Sequence, residues 1–85
     1  MIRVRVPNIG EGITDATVSF WHVEEGDGVQ AGDDMVEMAT DKATFNIPAP
    51  CTGVVVEVFF EEGESAKIGE VLATIEEEAS KRSGL

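Results

Sequence analysis

Apolar and polar residues alternate along this chain in short runs, and no stretch sustains an apolar stripe at helical spacing. Six runs read as strands, at 2–6, 17–24, 35–40, 43–47, 53–60 and 71–76, punctuated by Gly, Asp and Pro. The expected class is all-β. In the third and fourth runs, alternation places Val36 and Met38 on one face with Ala43, Phe45 and Ile47 as inward partners, and turns Glu37, Thr44 and Asn46 outward. Val18, Phe20, Trp21 and Val23 do not share one face of an unbroken strand, which predicts a bulge or local twist in the second run. Turns are expected at Gly26-Asp27-Gly28 and at 62–65, where glycine takes positive φ without steric cost.

The pattern occurs twice. At an offset of 37 residues, Val18 falls on Val55, Glu24-Glu25-Gly26 on Glu61-Glu62-Gly63, and Gly32 on Gly69, with Asp27/Glu64, Asp33/Glu70, Met35/Leu72 and Met38/Ile75 as conservative matches. Two copies of a short-stranded sheet can bury their apolar faces against one another as a sandwich or flattened barrel. Val6-Pro7 resembles Ile47-Pro48 at a different offset, which implies about four residues inserted near 10–13. An asymmetric surface loop of this kind is a natural place for partner recognition, and equally a longer turn.

Between the third and fourth runs, Asp41 and Lys42 remain as a two-residue hairpin tip. A lysine there projects its amine away from the body. Most exposed lysines are only solvated charges, and Asp-Lys is not the Asn-Gly pair that favours such a turn, so the repeat register carries much of this placement. Lys67, the counterpart of Gln30, falls in a turn on this reading and lacks the neighbours of Lys42.

Eighty-five residues make one small domain with a thin core. No segment approaches the roughly 20 apolar residues that span a bilayer, and residues 1–5 lack the apolar stretch of a signal peptide. Seventeen acidic against six basic residues give a formal charge of −11, which would repel nucleic acid and anionic membrane surfaces. Cys51 is the only cysteine and His22 the only histidine, so neither an internal disulfide nor a zinc-ligand set is expected. Cys51 reads as a small turn residue rather than a nucleophile, and His22 as a strand side chain. Gly10-x-Gly12 is no dinucleotide fingerprint, because Asp15 stands at the third glycine position and no helix pattern follows.

Taken together, Val6-Pro7-Asn8-Ile9-Gly10-Glu11-Gly12-Ile13, Trp21, Gly26-Asp27, Thr40-Asp41-Lys42-Ala43, Ile47-Pro48-Ala49-Pro50 and Gly53 closely resemble the lipoyl domains of 2-oxo acid dehydrogenase complex acyltransferases, within the biotinyl/lipoyl attachment domain family. The resemblance runs from about residue 2 to 76. It implies a flattened β-barrel or sandwich of two quasi-symmetric four-stranded antiparallel sheets. It also implies a non-catalytic domain, placed at 1–77, while the polar residues 78–85, which lose the alternation, read as a flexible tail or linker start. By the same resemblance Lys42 carries lipoate in amide linkage, Asp41 and Ala43 are recognition residues, and the loop with Glu11 and Ile13 faces partners. The implied partners are a lipoate ligase or lipoyl transferase, a thiamine-diphosphate-dependent 2-oxo acid decarboxylase, an acyltransferase core and dihydrolipoamide dehydrogenase. Such a domain would lie in the bacterial cytoplasm or, in a eukaryote, the mitochondrial matrix. The Gly-Glu-Gly-Ile and Asp-Lys-Ala-Thr pattern slightly favours a pyruvate or branched-chain complex over a 2-oxoglutarate complex.

Three rivals share parts of this pattern. A biotin carrier also modifies a hairpin lysine, but its lysine usually stands between methionines, where this chain has Asp41 and Ala43. The glycine-cleavage H protein is lipoylated but longer. An unmodified β interaction module would leave Lys42 bare and place its interface elsewhere.

Overall fold

The computed structural model describes residues 1–10 and 12–77. Eight strands follow one another: β1 Ile2–Arg5, β2 Asp15–Trp21, β3 Gly28–Val29, β4 Asp34–Ala39, β5 Thr44–Pro48, β6 Gly53–Val58, β7 Ser65–Lys67 and β8 Val71–Glu77. They form two four-stranded antiparallel sheets, ordered β1-β8-β6-β3 and β5-β4-β2-β7. The all-β expectation and the two-sheet architecture hold. Each sheet takes two strands from each half, β1 and β3 joining β8 and β6 in one and β5 and β7 joining β4 and β2 in the other. The halves are therefore interlocked, and neither could close its own sheet.

Alternation sends one face of most strands into a single core between the sheets, and in β4 and β8 two consecutive residues, Met35-Val36 and Leu72-Ala73, are both buried. Repeat-related residues meet there: Val18 and Val55, Val29 and Ala66, Met35 and Leu72, Val36 and Ala73, and Met38 and Ile75 are all buried. Among the described residues the core holds no buried polar or charged residue. Gly53 is buried where the first repeat has Ala16, because a Cβ there would collide with the Glu76 carbonyl and come within 2.9 Å of Ile75 Cγ2.

The bulge expected in the second run is present, with the register of β2 against β4 shifting between Val18 and Phe20. Its repeat mate shifts β6 against β8 between Val55 and Glu57. Just beyond each bulge, one strand amide is met by a carboxylate from the other repeat. Trp21 N donates to Glu62 Oε2 at 3.0 Å and Val58 N donates to Glu25 Oε2 at 2.9 Å. The glycine after each of these glutamates, Gly26 or Gly63, has φ of 96° or 95° and donates its amide to Val55 O or Val18 O. The repeated Glu-Glu-Gly is thus a reciprocal clasp between the two halves.

Several details depart from the sequence reading. Two strands, β3 and β7, are additional, and β7 takes Lys67 out of the turn assigned to it. The runs 17–24 and 53–60 end early, at Trp21 and Val58, where the chain leaves the ladder for the clasp turns. Ala43 is exposed rather than inward, because it belongs to the tip and β5 begins only at Thr44. The inserted segment is longer than four residues. Val6 N donates to Glu70 O and Gly69 N to Val6 O, as Ala49 N does to Asp33 O and Gly32 N to Ala49 O. Val6 therefore matches Ala49 at an offset of 43, Pro7 matches Pro50, and six residues are inserted before β2. Residues 78–85, read as a tail, lie outside the described residues.

Candidate functional site

β4 lies between β2 and β5, and its ladder with β5 runs Val36 to Ile47, Glu37 to Asn46, Met38 to Phe45 and Ala39 to Thr44. Val36, Met38 and Ile47 are fixed in the core, so the hairpin rises from a packed base. Beyond Ala39 the chain turns through Asp41, Lys42 and Ala43, all exposed. The two-residue tip is where the sequence placed it.

A two-residue hairpin loop normally uses residues with positive φ, yet none of the described non-glycine residues has one. The tip is closed by Thr40 instead. Thr40 N donates to Ala43 O at 2.8 Å, and the Thr40 hydroxyl donates to the same carbonyl at 3.2 Å. Thr40 Oγ1 also accepts the amides of Lys42, at 3.3 Å, and Ala43, at 3.2 Å. Thr40 was not singled out by the sequence reading, although a hydroxyl residue just before a tight turn is a familiar side-chain-to-backbone signal.

The inserted loop approaches the same end of the molecule. Gly10 N donates to Asn8 Oδ1 at 3.2 Å, Gly12 has φ of 81°, and Ile68 N donates to Thr14 O at 3.0 Å, which ties the loop's exit to β7. Asp15 accepts from the hydroxyls of Thr14 (3.1 Å) and Ser65 (2.9 Å). Gly12, Ile13 and Thr14 share a shallow groove of about 450 Å³ with Ala39, Thr40 and Asp41. Ile13 and Asp41, two of the recognition candidates, therefore border one surface. Glu11 lies outside the described residues.

Other candidate groups are engaged elsewhere. His22 Nε2 shares a hydrogen bond with Asn46 Oδ1 at 2.9 Å, and its ring meets Phe20 edge-on at 5.1 Å. Burial, and after it the Glu77 carboxylate, push the Cys51 thiol above the usual cysteine range, which disfavours the thiolate a nucleophile needs. A concavity of about 730 Å³ opens between Trp21 and Val58, but its Glu25 and Glu62 are the clasp residues. Trp21 Nε1 donates to Phe60 O at 2.8 Å on its wall. Among the described residues no group of three or more His, Cys, Asp or Glu is placed to hold a metal ion.

The profile of a family described as "Biotin-requiring enzyme" matches residues 2–75. The dihydrolipoyllysine-residue succinyltransferase component of the 2-oxoglutarate dehydrogenase complex of Rickettsia conorii is 35% identical over 79 residues, 93% of this chain and 20% of that protein. The dihydrolipoyllysine-residue acetyltransferase component of the pyruvate dehydrogenase complex of Staphylococcus aureus is 40% identical over 72 residues, 85% of this chain and 17% of that protein. The chain thus spans about a fifth of the length of these relatives, and its similarity extends to complexes of more than one 2-oxo acid. Among solved structures, the lipoyl domain of the 2-oxoglutarate dehydrogenase complex from Azotobacter vinelandii superposes with a TM-score of 0.75 at 32% identity, covering 91% of this chain and 98% of that one.

Proposed function

Because this chain belongs to the biotin/lipoyl attachment family, and within it to the lipoyl domains, we propose that Lys42 carries lipoate in amide linkage. The domain then serves as a swinging-arm carrier between active sites of a 2-oxo acid dehydrogenase complex. The observation that carries this reading is the placement of Lys42, exposed at the tip of a core-anchored hairpin and flanked by Asp41 and Ala43. Amide formation joins the lysine amine to a lipoyl carboxyl that the ligase has first activated with ATP; what the domain itself must offer is an accessible amine with room for the enzyme around it, and Lys42 is exposed at the tip. Once attached, the dithiolane of lipoate provides acyl and electron carriage, chemistry that no side chain of this domain supplies. The protein's own part is to hold the amine clear of the body and to present surfaces that partners read.

Those surfaces are Asp41 and Ala43 beside the lysine and the 8–14 loop, where Ile13 shares the groove of Asp41. The proposed readers are a lipoate ligase or lipoyl transferase and a thiamine-diphosphate-dependent 2-oxo acid decarboxylase. An acyltransferase core and a dihydrolipoamide dehydrogenase then use the loaded arm. Tethering keeps the reactive end at a high effective concentration near each site. Replacing Glu11 and Ile13 by Ala should lower reductive acylation by the decarboxylase more than it lowers lipoylation, with both rates measured by intact mass on one variant. Equal losses would indicate damaged folding or a shared surface, and unchanged acylation would remove the loop from the recognition surface.

A further inference from the structure

We propose that Thr40 is the positioning residue of the modification site, its hydroxyl holding the turn through Asp41 and Lys42 in the shape a modifying enzyme accepts. This rests on the carrier reading of Lys42. With no positive φ at Asp41 or Lys42, the turn cannot be one of the primed types whose twist matches the flanking strands. Strands joined by an unprimed turn splay, and the second bond expected of a closing pair, Ala43 N to Thr40 O, is replaced by Ala43 N to Thr40 Oγ1. The same oxygen takes the amide of Lys42 and its hydrogen goes to the Ala43 carbonyl. One half-buried side chain, rooted at the end of β4, thus ties both peptide units that follow the attachment dipeptide's first residue. Each bond is long and near solvent, so the set acts by narrowing the tip's conformations rather than by stabilising the fold.

If the clamp selects the competent tip, its loss should lower the competent fraction. The apparent KM for the domain rises by the inverse of that fraction while turnover at saturation is kept. Thr40→Val removes the hydroxyl and keeps the branched shape, Thr40→Ala removes it without adding a methyl against the turn, and Thr40→Ser keeps it. In the unmodified domain, amide hydrogen exchange at Lys42 and Ala43 should quicken about fivefold in Thr40→Val and Thr40→Ala and stay near wild type in Thr40→Ser. With lipoate ligase, KM for the first two should rise by about the same factor with kcat held within about twofold. Wild-type exchange and KM in Thr40→Val and Thr40→Ala would overturn the proposal, as would equal losses in Thr40→Ser. A fall in kcat alone would overturn it too, by making the hydroxyl a contact of the enzyme rather than a support of the turn. If wild-type protein takes no lipoate while the exchange pattern is as expected, the carrier reading fails and the clamp stands.

Discussion

At the residue scale, Lys42 and Thr40 differ in how far sequence reveals their place in the hairpin. The position of Lys42 at the tip is legible because it stands between two alternating runs at a fixed place in the internal repeat. Thr40 is not, since its role depends on a turn conformation that residue types alone leave open. Ala43 is exposed although alternation turns it inward, because the ladder that enforces alternation begins only at Thr44. Gly53 is a case where structure supplies the reason. Its repeat mate Ala16 has space for a methyl group, whereas a methyl at Gly53 meets the backbone of Glu76 and the side chain of Ile75. Backbone cannot swing aside as a side-chain end can, so Gly53→Ala should destabilise the domain by about 1–3 kcal/mol, the usual cost of overpacking a core. Urea unfolding would read this as a lower midpoint at unchanged slope. A variant as stable as wild type would mean that β6 and β8 can separate there without penalty.

At the element scale, the runs long enough to alternate were recovered, and the short ones were not. β3 has two residues and β7 three, too few to show a period, and each exists because the opposite repeat offers it an edge to pair with. The length of the insertion is hidden for a related reason. Val6-Pro7 resembles Ile47-Pro48 as a dipeptide, but the hydrogen-bond ladder aligns it with Ala49-Pro50. The bulge in β2 was legible from broken parity, while the clasp that serves it and its mate in β6 joins residues 41 and 33 positions apart. Glu25→Ala and Glu62→Ala should each lose about 0.5–1 kcal/mol, the lower range for a hydrogen bond because both carboxylates are exposed. In a domain of this size that is roughly 3–6 °C in Tm. Glu→Gln at either position keeps an acceptor and should lose less. Alanine variants melting with wild type would show that water replaces the carboxylates without cost.

At the scale of the whole molecule, the interlocked sheets set a direction. Ala39, Thr17 and Ser65 lie in one row across a sheet, Lys67 lies beyond that row on the tip side, and β8 leaves the turn after Lys67 to run back toward the partner of Ile2. The attachment hairpin therefore stands at one end, and Met1 and Glu77 stand at the other. In the repeat, β8 and β1 correspond to β4 and β5, so the place of the tip in the second half is taken by the ends of the described domain. Among the described residues there is thus one such tip, with the asymmetric loop beside it. The most direct test is the intact mass of the folded chain, and of Lys42→Arg, after parallel incubation with lipoate ligase, lipoate and ATP and with biotin ligase, biotin and ATP, followed by peptide mapping. The expected result is a single lipoyl group on Lys42, little biotin, nothing on Lys67, and a folded but unmodified Lys42→Arg, which keeps the charge and loses the amine. Lipoylation of Lys42→Arg, preferential biotin transfer, or a folded wild-type chain that accepts neither group would contradict it.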